Sequence, residues 1–352
     1  MSQSAPDQLK LIDVRAPLLR VMLLVPVALA LVGCWYAARW YIGNVLAEFA
    51  PGVEEGRLDV ARAAMRLAPN DPLTHLSVAS LEKASFSPEQ LREALRHYEV
   101  AVSLSPNDYR YWMELGIARE QSGDAAGGEE ALRRAVELAP SYSYPRWYLG
   151  NLLLRRGRAD EAFAELRRAG DADPKLRGQI FNLAWHVYER DVEVVQNAVG
   201  RTAEARAQLA SYLAGRQLFD DALRLWASLR PAEQRDQSEI GEALMNTMLS
   251  AKRYHAALGL FRDIGSSDAA SSVRIGQLVN AGFEDDIGTG ETGPFGWQVK
   301  SIPQAQVALD TGRPHGGERS LRVLFNAPMT LEFNNISQLV AVEAGTLYRL
   351  EC

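Results

Sequence analysis

The chain has 352 residues, 47% of them hydrophobic, and a formal net charge of −6. That length holds two or three domains, and the acidic balance is the opposite of the basic surface a nucleic-acid binder needs. The two cysteines, Cys34 and Cys352, exclude a disulfide framework and a CxxC redox or metal site.

Residues 1–17 read as a cytoplasmic N-terminal segment and residues 18–42 as a transmembrane anchor. From Val21 to Ala38 the sequence is apolar and uncharged, bounded by Arg20 and Arg39, with Trp35, Tyr36, Trp40 and Tyr41 at its far end. Such a run suits a single span with an interfacial aromatic belt. Lys10, Arg15 and Arg20 precede it and only Arg39 follows closely. The excess of positive charge places everything after Tyr41 outside the cytoplasm. The expectation is a bacterial inner-membrane, single-pass protein with its remaining domains in the periplasm. A second reading attaches to Leu31-Val32-Gly33-Cys34, which resembles the lipobox of bacterial lipoproteins and would make Cys34 a lipid anchor.

Residues 51–265 read as helical repeats. Glu54 to Pro69 has the pattern of a lone second helix, and Leu73 to Pro106 that of a full unit lengthened around Ser85, Phe86 and Ser87. Ala101, Ala135 and Ala169 recur with Pro106, Pro140 and Pro174 at a period of 34, and Leu115-Gly116 is matched by Leu149-Gly150. Two helical patterns per period predict a stack of hairpins, because one hairpin cannot bury its own apolar face. Gly116 and Gly150 are placed where the helices of a hairpin cross closely, opposite small residues such as Ala131, Ala135, Ala162 and Ala169. Each proline stops a second helix. Lys175 to Arg206 is helical in pattern but off period. Asp220 to Trp226 is echoed by Tyr254 to Phe261 about one repeat later.

Trp112, Leu115 and Gly116 on a first helix, with Leu132, Ala135 and Pro140 on and after a second, resemble the tetratricopeptide repeat. The resemblance implies a mainly α superhelix that binds a protein partner. In that family the first helix of each unit lines the concave groove, and the matching positions here are Arg110, Met113, Ile117 and Glu120, then Tyr144, Trp147, Asn151 and Arg155. Trp147 lies one place past the position of Trp112, which Arg146 fills in its unit, so it is expected to point into the groove. Trp, Tyr and Arg together make an interface hot spot. The carboxylate-clamp lysines and asparagines of relatives that bind chaperone tails are not reproduced as a set.

Residues 266–275 form a polar linker, after which helical periodicity stops. In residues 276–352, Gln304 to Leu309, Ser320 to Asn326 and Gln338 to Val342 alternate polar with apolar residues between turns, which predicts short antiparallel strands. Asn280 to Glu284, Trp297, Gly317 to Leu321 and Gly345 to Leu350 resemble the galactose-binding-like β-sandwich of carbohydrate-binding modules. Such a jelly roll has on the order of eight strands, and this segment supplies about five, so a partial sandwich is expected. Phe295 and Trp297 are the candidates for a glycan platform.

No chemistry is legible. Gly288 to Gly293 has GxGxxG spacing, but Pro294, Phe295 and Gly296 forbid the helix a dinucleotide site needs. Glu284, Asp285 and Asp286 read as a turn. His75, His97, His186, His255 and His315 show no ligand spacing, and no nucleophile elbow or Walker loop is present. No catalytic, cofactor or metal residue is expected. The sequence reads as a membrane-anchored extracytoplasmic scaffold, not an enzyme, that binds an envelope protein through its repeats. The alternative is an envelope component that binds polysaccharide through the β segment.

Overall fold

The computed structural model describes residues 17–52, 55–85, 87–265, 272–287, 293–314, 316–326 and 333–350. Outside them lie Lys10, Arg15, Phe86, His315, Cys352, most of the expected linker and the GxGxxG-spaced loop up to Gly293. The chain divides into two units, Met1–Ala172 and Asp173–Cys352.

The first unit holds helices α1 (Pro17–Phe49), α2 (Arg57–Leu67), α3 (Pro72–Lys83), α4 (Pro88–Leu104), α5 (Tyr109–Gln121), α6 (Ala125–Leu138), α7 (Ser143–Arg155) and α8 (Ala159–Ala172). Helices α3 and α4, α5 and α6, and α7 and α8 pair as hairpins, and each hairpin packs on the next. This is a tetratricopeptide-type stack. Its core is made of the small residues the pattern placed there: Ala94, Ala131, Ala135, Ala162 and Ala169 are fully buried. A Cβ on Gly116 would come within 2.7 Å of Leu132 Cγ and 3.0 Å of the Gly128 carbonyl; one on Gly150 would meet Leu166 Cγ at 2.6 Å. The two crossings are therefore backbone-close.

Residues 57–69 are not a lone second helix, as the sequence pattern had it. Helix α1 runs on past the apolar stretch to Phe49, and its end packs on α2 to make a first hairpin. Gly43 is the contact: a Cβ there would lie 2.7 Å from Ala68 Cβ and 2.9 Å from the Ala64 carbonyl. By length and composition the helix is able to cross a membrane, and its apolar face from Val21 to Tyr41 is exposed.

One hydrogen bond recurs at the same place in three units. His75 Nε2–H, Trp112 Nε1–H and Arg146 Nη2–H donate to the carbonyls of Pro69 (2.9 Å), Pro106 (2.8 Å) and Pro140 (3.1 Å), each six residues earlier. These carbonyls stand just past a helix end and have no ladder partner. Different side chains thus serve one purpose, joining each first helix to the corner before it. Arg146 adds an ion pair with Glu165 at 2.5 Å, with both side chains mostly buried. Trp112→Phe keeps the packing and removes the N–H. It is expected to cost about 1 kcal/mol, read from chemical denaturation.

The second unit begins with α9 (Arg177–Val187) and the short α10 (Val192–Val199). Glu189 and Arg190 between them adopt left-handed φ values of 50° and 70°, which breaks the 34-residue rhythm. Then α11 (Ala203–Gly215) pairs with α12 (Phe219–Ala227), and after the short α13 (Pro231–Asp236), α14 (Ser238–Ser250) pairs with α15 (Tyr254–Ile264). The echoed segments are the second helices of these two hairpins. Trp226 is 1% exposed and donates its indole N–H to Asp263 at 3.1 Å.

The β segment is small, antiparallel and incomplete, as expected, but among the described residues it is not a sandwich. Strand β1 (Gln298–Val299) pairs antiparallel with β4 (Ile336–Ser337), and β2 (Ala305–Asp310) with β3 (Ser320–Phe325), as two separate two-stranded sheets. Two of the expected strands are present. Gln338 to Val342 is not a strand: its backbone is bonded elsewhere, the Ala341 carbonyl accepting from Gly276 N–H and the Val342 carbonyl from His255 Nε2–H. Among the described residues no sandwich forms, and the galactose-binding-like resemblance is not carried into the fold.

Candidate interaction groove

Helices α5 and α7 are the first helices of adjacent hairpins and stand side by side. Residues three and four apart on each helix share a face. Ile117, Glu120 and Gln121 from α5 and Trp147, Tyr148, Asn151 and Arg155 from α7 line a cavity of ≈ 540 Å³. Five of the eight expected groove residues meet there. Trp147 is half-buried at its wall, whereas Trp112, one repeat position earlier, is tied to Pro106. Across the cavity Arg155 grips Glu120 through Nε (2.5 Å) and Nη2 (2.7 Å), a two-pronged pair of fixed geometry. Asn151 Nδ2 donates to the Trp147 carbonyl at 2.8 Å, one turn back.

Three expected groove residues lie outside the cavity. Met113 turns toward the core and packs against the buried cluster around Leu132 and Leu149. Arg110 is paired with Asp108 at 2.5 Å on the first turn of α5, and Tyr144 is 53% exposed on the first turn of α7. Both lie near the corners, away from the cavity. Tyr148 and Gln121 were missed by sequence reasoning. Each neighbours an expected residue on the helical stripe, so a wider stripe would have included them.

The back of the same hairpins carries an ionic knot. Glu129 on α6 accepts from Arg133 (2.6 Å), from Arg158 (2.8 Å) and from Arg156, and Arg158 also holds Glu161 at 2.5 Å. Burial alone would push the Glu129 carboxyl up, but the hydrogen bonds from Arg133 and Arg158 outweigh it and hold it below the usual carboxylate range. A carboxyl depressed in the folded state contributes stability that is present above its unfolded value and lost as pH falls through its folded one. The melting temperature is expected to fall below about pH 4.5, and Glu129→Gln to flatten that dependence in a pH series of thermal melts.

A second cavity of ≈ 710 Å³, between the α3–α4 turn and the end of α5, is lined by Lys83, Pro88, Leu91 and Gln121 among others. No sequence reading foresaw it. It borders the lengthened turn at Ser85 and Ser87. In the second unit, Phe181, Gln208, Tyr212 and Glu239 line a shallower one of ≈ 420 Å³.

The expected glycan platform does not form. Phe295 is 1% exposed and packs on Phe261 with ring centroids 5.5 Å apart. Trp297 stacks on Phe283 at 4.8 Å and donates its N–H to the Asn280 carbonyl at 3.1 Å. The neighbouring carboxylates are likewise engaged: Glu284 accepts from Glu318 N–H and Asp286 pairs with Arg319. His75 and His97 face each other at 3.1 Å between Nδ1 atoms, and among the described residues no group of three or more metal-ligating side chains is found.

No protein-family model matches the chain. It is 31% identical over 136 residues to the Cellulose synthase 2 operon protein C of Komagataeibacter xylinus, an alignment spanning 38% of this chain and 10% of that protein. Among solved structures, it resembles MamA (residues 41 to the end) from Desulfovibrio magneticus RS-1, at 21% identity over 40% of this chain and 76% of that one, with a TM-score of 0.34. It also resembles YrrB, described as a TPR protein with an unusual peptide-binding site (16%, 58% and 90%, TM-score 0.31). A third is PilF of Pseudomonas aeruginosa (16%, 55% and 92%, TM-score 0.38). The fold is a stack of tetratricopeptide-like helical hairpins, and the chain spans about a tenth of the length of the operon protein it matches.

Proposed function

We propose that the protein is a membrane-anchored scaffold whose α5–α7 groove receives an extended segment of an envelope protein. The observation that carries this reading is Trp147, set at the wall of the cavity beside the Arg155–Glu120 pair, one place past the repeat position at which Trp112 and Arg146 are tied to proline carbonyls. A rigid aromatic next to a fixed charged pair is the composition of a binding hot spot. Helix α1 supplies the tether. Its flanking charges favour the bacterial inner membrane with the repeats in the periplasm. The similarity to part of a cellulose synthase operon protein supports an envelope setting. The polysaccharide reading at Phe295 and Trp297 is weakened because Phe295 is buried against Phe261 and the half-buried Trp297 is stacked on Phe283.

The test is a photo-crosslinking residue at Trp147 in the native host, with the same probe at Trp112, which packs on the core and is tied to Pro106, as the control. A discrete protein adduct at Trp147 alone supports the groove. A polysaccharide ladder, or adducts only within the chain, would overturn it.

A further inference from the structure

Helix α1 is both the apolar helix and the first helix of the repeat stack, with no break between Pro17 and Phe49. The corner between α2 and α3 therefore stands at a defined height on it. Arg39 Nη2 donates to the Arg66 carbonyl at 2.7 Å, Gly43 packs on Ala64 and Ala68, and Asn44 Nδ2 donates to Asp71 at 2.8 Å. The interfacial residues Trp35, Tyr36, Trp40 and Tyr41 are exposed just below. From Trp40 to Asn44 the helix rises about 6 Å, and the headgroup layer on one side of a bilayer is about 5–8 Å thick. The α2–α3 corner falls within that layer.

The corners of the following hairpins are on the same edge, since α3, α5 and α7 all begin where α2, α4 and α6 end. The bonds to Pro69, Pro106 and Pro140 mark this edge in each unit. Its chemistry suits a bilayer surface. Arg66 is exposed and faces no carboxylate among the described residues; its Nε bonds to the Arg62 carbonyl. Three acids of the edge are engaged: Asp71 is 4% exposed and caps α3, Asp108 is paired with Arg110, and Glu137 at the end of α6 is paired with Arg134. Tyr109 and Tyr142 stack at 5.0 Å, and Tyr142 and Tyr144 are 57% and 53% exposed. Tyrosine is favoured at the headgroup level and exposed arginine at anionic lipid.

We propose that this edge rests on the bilayer that α1 spans, with Arg39 and Arg66 at the phosphates of anionic phospholipids and Tyr142 and Tyr144 in the headgroup layer. The proposal builds on the membrane-span reading of α1. It accounts for Tyr144, which the groove does not use. It also places Glu120, eleven residues along α5 from Tyr109 and so about 16 Å higher, at the groove's membrane-distal end.

The test uses the full chain in nanodiscs of phosphatidylglycerol or of phosphatidylcholine. A nitroxide is placed at Ser141→Cys, next to Tyr142, or at Asp160→Cys on the opposite edge, each with Cys34→Ser and Cys352→Ser. In anionic discs the label at 141 is expected to be severalfold less accessible to a water-soluble nickel chelate than the label at 160. Arg39→Gln with Arg66→Gln is expected to reduce that protection, as is neutral lipid. Separately, Cys34 of a Cys352→Ser chain is expected to resist a water-soluble maleimide. If Cys34 is protected and positions 141 and 160 are equally accessible, the edge proposal is overturned and the anchor stands. If Cys34 reacts freely, both are overturned. Protection at 141 that ignores lipid charge and both arginines would overturn the phosphate contact.

Discussion

Gly116→Val is expected to destabilise the first unit by about 3 kcal/mol, lowering its melting temperature by roughly 6–12 °C. At Gly116 the backbones of α5 and α6 touch: the Gly116 side meets Gly128 O, and a Cβ on Gly128 would in turn lie 2.9 Å from Gly116 O. Two glycines make the contact reciprocal. Moving the Leu132 side chain would not make room for a valine, because another atom in its way is the Gly128 carbonyl, fixed in the α6 ladder. The helices must separate, which opens the layer holding Leu115, Ala131 and Leu132. Since each hairpin of a stack is held by its neighbours, the damage is expected to spread from the α5–α6 hairpin outward. Gly259→Ala is the control. A Cβ there meets nothing within 4 Å, so this helical position should gain up to about 1 kcal/mol. Thermal melts of both variants check the pair; equal losses would contradict the close-crossing account.

Trp147→Ala is expected to weaken partner binding by about thirtyfold or more, the size of a hot-spot loss of at least 2 kcal/mol, with little change in fold stability. Trp147 is only half-buried and stands at the cavity wall. Its removal strips an aromatic surface and leaves the Arg155–Glu120 pair more exposed to water, where such a pair is weaker. Trp112→Ala is expected to show the reverse profile, lowering stability because Trp112 packs against the core of Tyr98, Tyr111 and Leu115. Titration of the cross-linked partner against both variants, with melts alongside, separates the two roles. A Trp147→Ala chain that binds normally would remove the groove from the account.

The repeats were legible because their signal is a distance. A 34-residue spacing of Gly, Ala and Pro survives in the sequence even where the residues between have changed, and the structure uses those positions as crossings, core and stops. The first hairpin was hidden by a stronger signal. Ile42-Gly43 is the counterpart of Leu115-Gly116 and Leu149-Gly150, but it follows directly on the membrane-like run, and hydropathy draws the boundary before it. Similarly, His75 and Arg146 share with Trp112 the bond to a preceding proline carbonyl, a role set by an N–H at one position and invisible to a search for tryptophan. In the β segment, alternation correctly marked Ala305–Asp310 and Ser320–Phe325. It failed for Gln338 to Val342 because alternation reports which faces are apolar and not which backbone groups find partners. There the partners came from Gly276 and from a histidine on α15. Of the groove positions implied by the tetratricopeptide resemblance, five line the cavity, while Met113, at the repeat position of Trp147, packs on the core, so the repeat position alone does not decide between the two.

In the proposed function α5 and α7 form the partner-binding surface. The most direct measurement is hydrogen exchange on the full chain in envelope vesicles from the native host, with the partner identified by cross-linking either present or genetically removed. The account predicts that loss of the partner deprotects residues 113–121 and 144–155 and leaves residues 293–350 unchanged. Partner-dependent protection confined to residues 293–350, with none in the two helices, would contradict it.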